Sequence, residues 1–250
     1  MKLPFHADAL LDFLRPRCVP GVEAVEGDVY RRAVGGEVRE VALRADGIGG
    51  DPELAALVAD LEADPAAVDA ALGAVPALAP LVAAAPGLRV PGTADGAELA
   101  IRAVLGQQVS VEAARTLAGR LTAQLGEPLA RPAGGVTHAF PTSNALAALD
   151  PEALPMPRAR GRALVGLAAA LADGLPLERR ALLELPGIGP WTADYIRLRT
   201  GDPDVLLLGD LGVRHALTAL GVQDGRALAA ACSPFGSYAT VHLWRSLRLT

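Results

Sequence analysis

From Asp8 to Arg15 apolar residues recur at helical spacing and stop before Pro16, which predicts a short opening helix. The pattern then changes to alternation. Residues 22–26, 29–34 and 38–44 are alternating segments with β-branched valines, separated by Gly27-Asp28 and Gly35-Gly36, which predicts a small antiparallel meander. Helical spacing returns over Pro52–Leu61, and Asp64-Pro65 reads as the cap and first residue of a further helix. The Pro- and Gly-containing stretch Ala85–Gly92 predicts a boundary, so residues 1–90 form a small α+β domain with an antiparallel sheet.

Beyond that boundary, residues 91–250 read as an all-helical region. Two strongly periodic segments, 94–105 and 110–125, meet at Gly106-Gln107-Gln108-Val109, with Ser110 as N-cap and Glu112 in the first turn. A Pro- and Gly-rich loop is expected over 126–143. Helices follow near 143–149, 158–173 and 177–184, and later over 211–220 and 225–231, with a last segment over 237–245. No internal repeat is present. Between two of these helices lies Leu185-Pro186-Gly187-Ile188-Gly189-Pro190-Trp191-Thr192-Ala193-Asp194-Tyr195-Ile196. Two glycines two apart turn the chain sharply, and Pro190 suits a first helical turn, where no N–H is needed. The result is a helix-hairpin-helix over about 178–200. Its turn directs backbone N–H groups and the positive end of a helix dipole into solvent, where an oxyanion such as a DNA phosphate fits whatever the base sequence.

Composition limits what that hairpin can serve. With 250 residues and 51% hydrophobic content the chain buries a substantial core. No apolar run reaches membrane-span length without Gly, Pro or charge, and the N-terminus lacks the pattern of a secretory signal, so a cytoplasmic location without membrane association is expected. Cys18 and Cys232 stand alone, without the spacing of a disulfide framework or a metal site. The net charge of −5 argues at first against a nucleic-acid partner. Its distribution removes the objection: residues 1–95 carry 8 Lys and Arg against 15 Asp and Glu, whereas residues 96–250 carry 15 against 13.

Four stretches now carry a resemblance: Ile101–Val111, Pro186–Tyr195, Asp204-Val205 through Asp210, and Ser237-Tyr238-Ala239 with His242 and Trp244. In these the chain resembles the helix-hairpin-helix DNA glycosylase superfamily, and within it the bacterial 3-methyladenine DNA glycosylase II (AlkA) type. The resemblance covers essentially the whole chain. It implies a mainly α fold with a small α+β N-terminal domain, and hydrolytic excision of alkylated bases such as 3-methyladenine and 7-methylguanine during base excision repair. It also implies a monomer acting on double-stranded DNA with damaged bases, and no required cofactor.

Residue by residue, Asp210 matches the catalytic aspartate. A carboxylate beside the anomeric carbon stabilises the positive charge that develops on the sugar as an N-glycosidic bond breaks. An isolated Asp ahead of a helix is also a good N-cap, and the two roles are compatible. Arg214, four residues on, lies on the same helical face and is positioned to pair with it. By position Gln108 matches the side chain that fills the gap left by a flipped base, with Gln107 beside it, where relatives carry leucine. Gly187, Gly189, Thr192 and Ser110 complete the expected DNA contacts. Trp191 and Tyr195 share a helix face, and with Phe235 and Leu211 they match positions of the base pocket. An aromatic wall there attracts a cationic alkylated purine.

Trp191 also occupies the place where superfamily members that cut the strand carry a Schiff-base lysine, and the only lysine of the chain is Lys2. Two cysteines are too few for the four-cysteine iron–sulfur cluster of some relatives. For metals, the resemblance implies only a monovalent cation held by the backbone carbonyls of Leu183, Leu185 and Ile188. Two alternatives stay open. One is a non-catalytic helix-hairpin-helix module that binds DNA, with Asp210 only a cap; the other is a glycosylase for a different lesion, such as ethenoadenine or hypoxanthine.

Overall fold

The structure, a computed structural model, describes residues 2–247. Helix α1 (Ala7–Leu14) and a 3-10 turn (Arg15–Arg17) lead into a four-stranded antiparallel meander: β1 (Glu23–Glu26), β2 (Val29–Val34), β3 (Glu37–Arg44) and β4 (Gly47–Gly50). Helices α2 (Pro52–Ala59), α3 (Pro65–Gly73) and α4 (Ala79–Ala84) follow, then α5 (Gly96–Leu105) and α6 (Val111–Leu125). After a hairpin, β5 (Pro128–Ala133) and β6 (Val136–His138), the rest is helical: α7 (Ser143–Ala147), α8 (Arg158–Ala172), α9 (Arg179–Leu183), α10 (Pro190–Arg199), α11 (Leu211–Ala219), α12 (Gly225–Cys232) and α13 (Gly236–Ser246). None of the described helices is long and apolar enough to cross a membrane.

Capping accounts for many of the boundaries. Asp51, Asp64, Ser110 and Asp210 each accept a hydrogen bond from a backbone N–H three residues on, and so start α2, α3, α6 and α11. Four elements escape the sequence pattern. Strand β4 contains three glycines and is held by backbone pairing to β3, with Leu43 opposite Ile48, so it lacks the alternation that marks a strand. The expected loop over 126–143 contains β5 and β6, whose signal is masked by Pro128 and Pro132 and by the Gly134-Gly135 turn. Helix α4 is only six residues long, too short to show a period.

Three hydrophobic cores form, and two of them draw on both sides of residue 90. One packs Leu10 and Phe13 of α1 against Tyr30, Val41 and Leu43 of the sheet and Leu54 and Val58 of α2. A second joins Val19, Val22 and Ala33 to Ile101, Leu105, Leu164, Leu182 and Ile196 around the hairpin. In the third, Val68, Leu72 and Val82 pack with Val213, Leu217, Leu228 and Leu243. The Pro/Gly stretch at 85–92 therefore separates two compositions without separating two cores.

A buried ionic network strengthens the same junction. Arg32 of β2 is 3% exposed and donates to Glu98 of α5 at 2.6 Å, while Arg102, one turn further along α5, donates to Glu98 at 2.7 Å and to Glu23 of β1 at 2.8 Å. Tyr30 and the backbone N–H of Val19 complete the hydrogen bonds to Glu23. Burial acts to raise the Glu23 pKa, but Arg102, Arg32 and these donors outweigh it and hold the carboxyl well below its ordinary range. The meander is thus fixed to the helix that leads to the Gln107-Gln108 loop.

Candidate active site

The hairpin turn is built by close approach. Gly187 has φ +84°, and a Cβ there would lie 2.6 Å from Ala163 Cβ on α8. Both the backbone conformation and the packing therefore require glycine. Gly187→Ala is expected to cost about 1–3 kcal/mol of stability and to weaken DNA binding, because the turn must move off α8. Thermal melting and a duplex-binding isotherm on the same variant check this; unchanged values in both would contradict it.

Gln107 braces the turn from the neighbouring loop. Its Nε2 donates to the Gly187 carbonyl and to Thr192 Oγ1, each at 3.0 Å. Thr192 is only 3% exposed, so its hydroxyl faces inward and only its helix-terminal N–H is suited to a phosphate. The side chains of Gln107 and Thr192, expected at the DNA interface, are thus spent on each other. Gly187, Gly189 and Pro190 remain exposed, and Gln108 stands out at the tip of its loop with φ +56°, a conformation that non-glycine residues seldom adopt. Ser110 is exposed and caps α6.

Asp210 is the N-cap of α11, and both of its carboxylate oxygens are occupied by donors. Oδ1 accepts from the Val213 N–H at 3.1 Å and from Trp244 Nε1 at 2.9 Å, and Oδ2 accepts from Trp191 Nε1 at 3.0 Å. The expected ion pair with Arg214 does not form. Capping folds the Asp210 side chain back over the first turn toward Val213, while Arg214 is exposed and contributes only its backbone N–H, to the Asp210 carbonyl. Neutral donors hold the carboxylate.

Around it lies a cavity of about 360 Å³, within the range of small-molecule sites. Trp191 and Tyr195 stack along one wall with centroids 5.4 Å apart and planes at 14°, and Trp244 of α13 faces Tyr195 at 6.3 Å and 54°. Phe13 of α1 stacks behind Trp244 at 5.8 Å. Arg17, Arg102, Arg115 and Arg199 also reach the lining. Arg199 is anchored by the Pro91 and Gly92 carbonyls at 2.5 and 2.8 Å and donates to the Tyr195 hydroxyl at 2.9 Å. Burial acts to raise the pKa of that phenol, but Arg199, Arg17 and Arg102 outweigh it and shift it below its ordinary value.

Two expected pocket residues are placed elsewhere. Phe235 packs edge-on against Tyr238 at 6.0 Å within the core of α11–α13, and Leu211 is 64% exposed outside the cavity lining. The reason is register: at the start of α11 Gly212, not Leu211, turns toward the cavity, and Phe235 precedes α13, whose cavity-facing residue is Trp244. Trp244, Phe13, Arg17 and Arg199 are the additions that sequence reasoning did not assign. Trp244 had one available signal, as the second of only two tryptophans and part of the recognisable C-terminal stretch.

A hairpin, a capped aspartate and an aromatic cavity in this order define the architecture of a helix-hairpin-helix DNA glycosylase. The same fold appears in the 3-methyladenine DNA-glycosylase of Archaeoglobus fulgidus, with a TM-score of 0.80 at 21% identity over 99% of this chain and 97% of that one. Residues 1–49 and 53–95 match the AlkA N-terminal domain family. The DNA-3-methyladenine glycosylase 2 of Escherichia coli is 35% identical over 96% of this chain and 94% of its own length. A Mycobacterium tuberculosis protein described as a probable bifunctional transcriptional activator/DNA repair enzyme AlkA is 41% identical over 99% of this chain. The chain belongs to the AlkA family of DNA-3-methyladenine glycosylases. It spans 56% of the length of the Mycobacterium relative.

Proposed function

We propose that this chain is a monofunctional DNA glycosylase that excises alkylated bases of the 3-methyladenine and 7-methylguanine type from duplex DNA. The observation that carries the reading is the Asp210 carboxylate, held by neutral donors among the described residues at a cavity walled by Trp191, Tyr195 and Trp244. The exposed hairpin amides grip a phosphate without reading bases, as a repair enzyme that scans DNA requires. A base whose pairing is damaged costs less to extrude, and in this reading Gln108 fills the gap it leaves, which its exposed position at a loop with φ +56° supports. The extruded base stacks on the aromatic wall. As the N-glycosidic bond breaks, its electron pair leaves with the base, Asp210 stabilises the cationic sugar, and water adds to the anomeric carbon and loses a proton.

An alkylated purine already carries positive charge and departs readily, so the site needs no separate acid. The absence of lyase chemistry is supported by residue type: Trp191 stands in the hairpin where a Schiff-base lysine is needed, and Lys2 pairs instead with Asp64 at 3.6 Å. The proposal includes a monovalent cation on the carbonyls of Leu183, Leu185 and Ile188. These are neutral oxygens at a helix end and its turn, a donor set that suits a hard cation and would add positive charge at the phosphate grip.

The test is a duplex carrying one alkylated base, with the freed base and the strand followed together. The expected result is free base, an abasic strand that stays whole until alkali is added, and no complex trapped by borohydride. A borohydride-trapped complex would overturn the monofunctional assignment.

A further inference from the structure

The donors on Asp210 are arranged unequally. Oδ1 receives two N–H groups, from Val213 and Trp244, which use both of its lone pairs. Among the described residues Oδ2 receives one, from Trp191, which leaves it one lone pair. All three donors are neutral, so they fix the carboxylate without cancelling its charge; an arginine in their place would neutralise the group that must meet a cation.

The geometry points to Trp191 and Trp244 as positioning residues that clamp Asp210 through their indole N–H groups, presenting the remaining Oδ2 lone pair to the anomeric carbon. The same two rings wall the cavity, so a base stacked against them and the carboxylate that acts on its sugar share one support. The rings are themselves held from behind: Tyr195 stacks on Trp191, and Phe13 stacks on Trp244. Gly212 leaves room for the clamp, since a Cβ there would lie 3.1 Å from Asp210 Oδ1 and 3.4 Å from Trp244 Cδ1. The inference rests on the glycosylase reading and adds to it the task of the indole nitrogens.

Trp191→Phe and Trp244→Phe keep a ring and remove the N–H. Each variant is compared with the parent in single-turnover base release and in binding two duplexes without a target base. One duplex carries a cationic pyrrolidine in place of the sugar, the other a neutral tetrahydrofuran. The expected result is a loss of release of about 10- to 100-fold, the scale of a hydrogen bond to a charged group, with unchanged binding of the neutral duplex and about tenfold weaker binding of the cationic one. Gly212→Ala retains every ring and is expected to lower release in the same way, which keeps the test informative where a tryptophan variant folds poorly. In an Asp210→Asn background, Trp244→Phe should cost nothing further. Parent-level release by the Phe variants, or equal weakening of both duplexes, would overturn the clamp. A parent that releases no base while preferring the cationic duplex would overturn the glycosylase reading and leave the clamp standing.

Discussion

Asp210→Asn is expected to fold, to bind alkylated duplex DNA within a few-fold of the parent, and to release base at least about 100-fold more slowly. Asparagine retains an oxygen to cap α11 through the Val213 N–H, so the helix and its core partners Val213 and Leu217 stay in place. It removes the negative charge opposite the developing sugar cation. With the oxygen kept at the cap, where Trp244 also donates, the new NH2 group takes the other position and confronts the indole N–H of Trp191, donor against donor. Charge and alignment are lost together. Single-turnover release at saturating protein reads the effect, and a rate within threefold of the parent would leave Asp210 only its capping role.

The second large effect lies away from the chemistry. Glu98→Ala is expected to destabilise the fold by about 3 kcal/mol, because it takes the shared carboxylate from the buried Arg32 and the partly buried Arg102 and leaves Glu23 to serve both cations. The cost is high since Arg32 is 3% and Glu98 5% exposed, so water does not take over the lost contacts. Arg102 also reaches the cavity lining, and release should fall even at temperatures where the variant is folded. The companion carboxylate Glu23 sets a pH window. Its folded pKa is depressed, so its contribution is complete above the ordinary carboxylate range and is lost as pH falls below it. The parent should therefore unfold in acid by release of the meander from α5. Chemical denaturation of parent and variant at neutral and acid pH measures both, and a neutral-pH loss below about 1 kcal/mol would contradict the account.

The N-terminal segment thus has two tasks in one body. It supplies β1 and β2 to the ionic network, and through Phe13 and Arg17 it backs the far side of the cavity. Arg17 sits 3.8 Å over the Phe13 ring and Arg199 4.9 Å from its centroid on another element, so two cations lie against the ring that supports Trp244.

Elements with a strong local period were readable in advance. The meander over β1–β3, α5, α6 and the hairpin follow from alternation, 3.6-residue spacing, caps and two glycines. Elements defined by partners were not: β4 and the β5–β6 pair consist of glycine, proline and backbone pairing. The same division runs through the site. Spacing puts Trp191 and Tyr195 on one face of α10, while Asp210 and the pocket role of the two rings were legible through the family resemblance. Trp244 and Arg199 reach the cavity from the last described helix and the end of α10, and Phe13 of the first helix backs Trp244, an assembly that tertiary packing creates. Phe235 and Leu211 show the converse, since a matching position near the site does not decide which face of the backbone a side chain leaves from. Arg214 shows it again, because capping turned the carboxylate away from its fourth neighbour.

The central claim is that the indole-held carboxylate cleaves N-glycosidic bonds of damaged nucleotides. Mass detection of free bases released from methylated duplex DNA, with unmethylated duplex alongside, tests it most directly. The account predicts that 3-methyladenine and 7-methylguanine appear with time and normal purines do not. Tight binding of the methylated duplex without release of any modified base would contradict it.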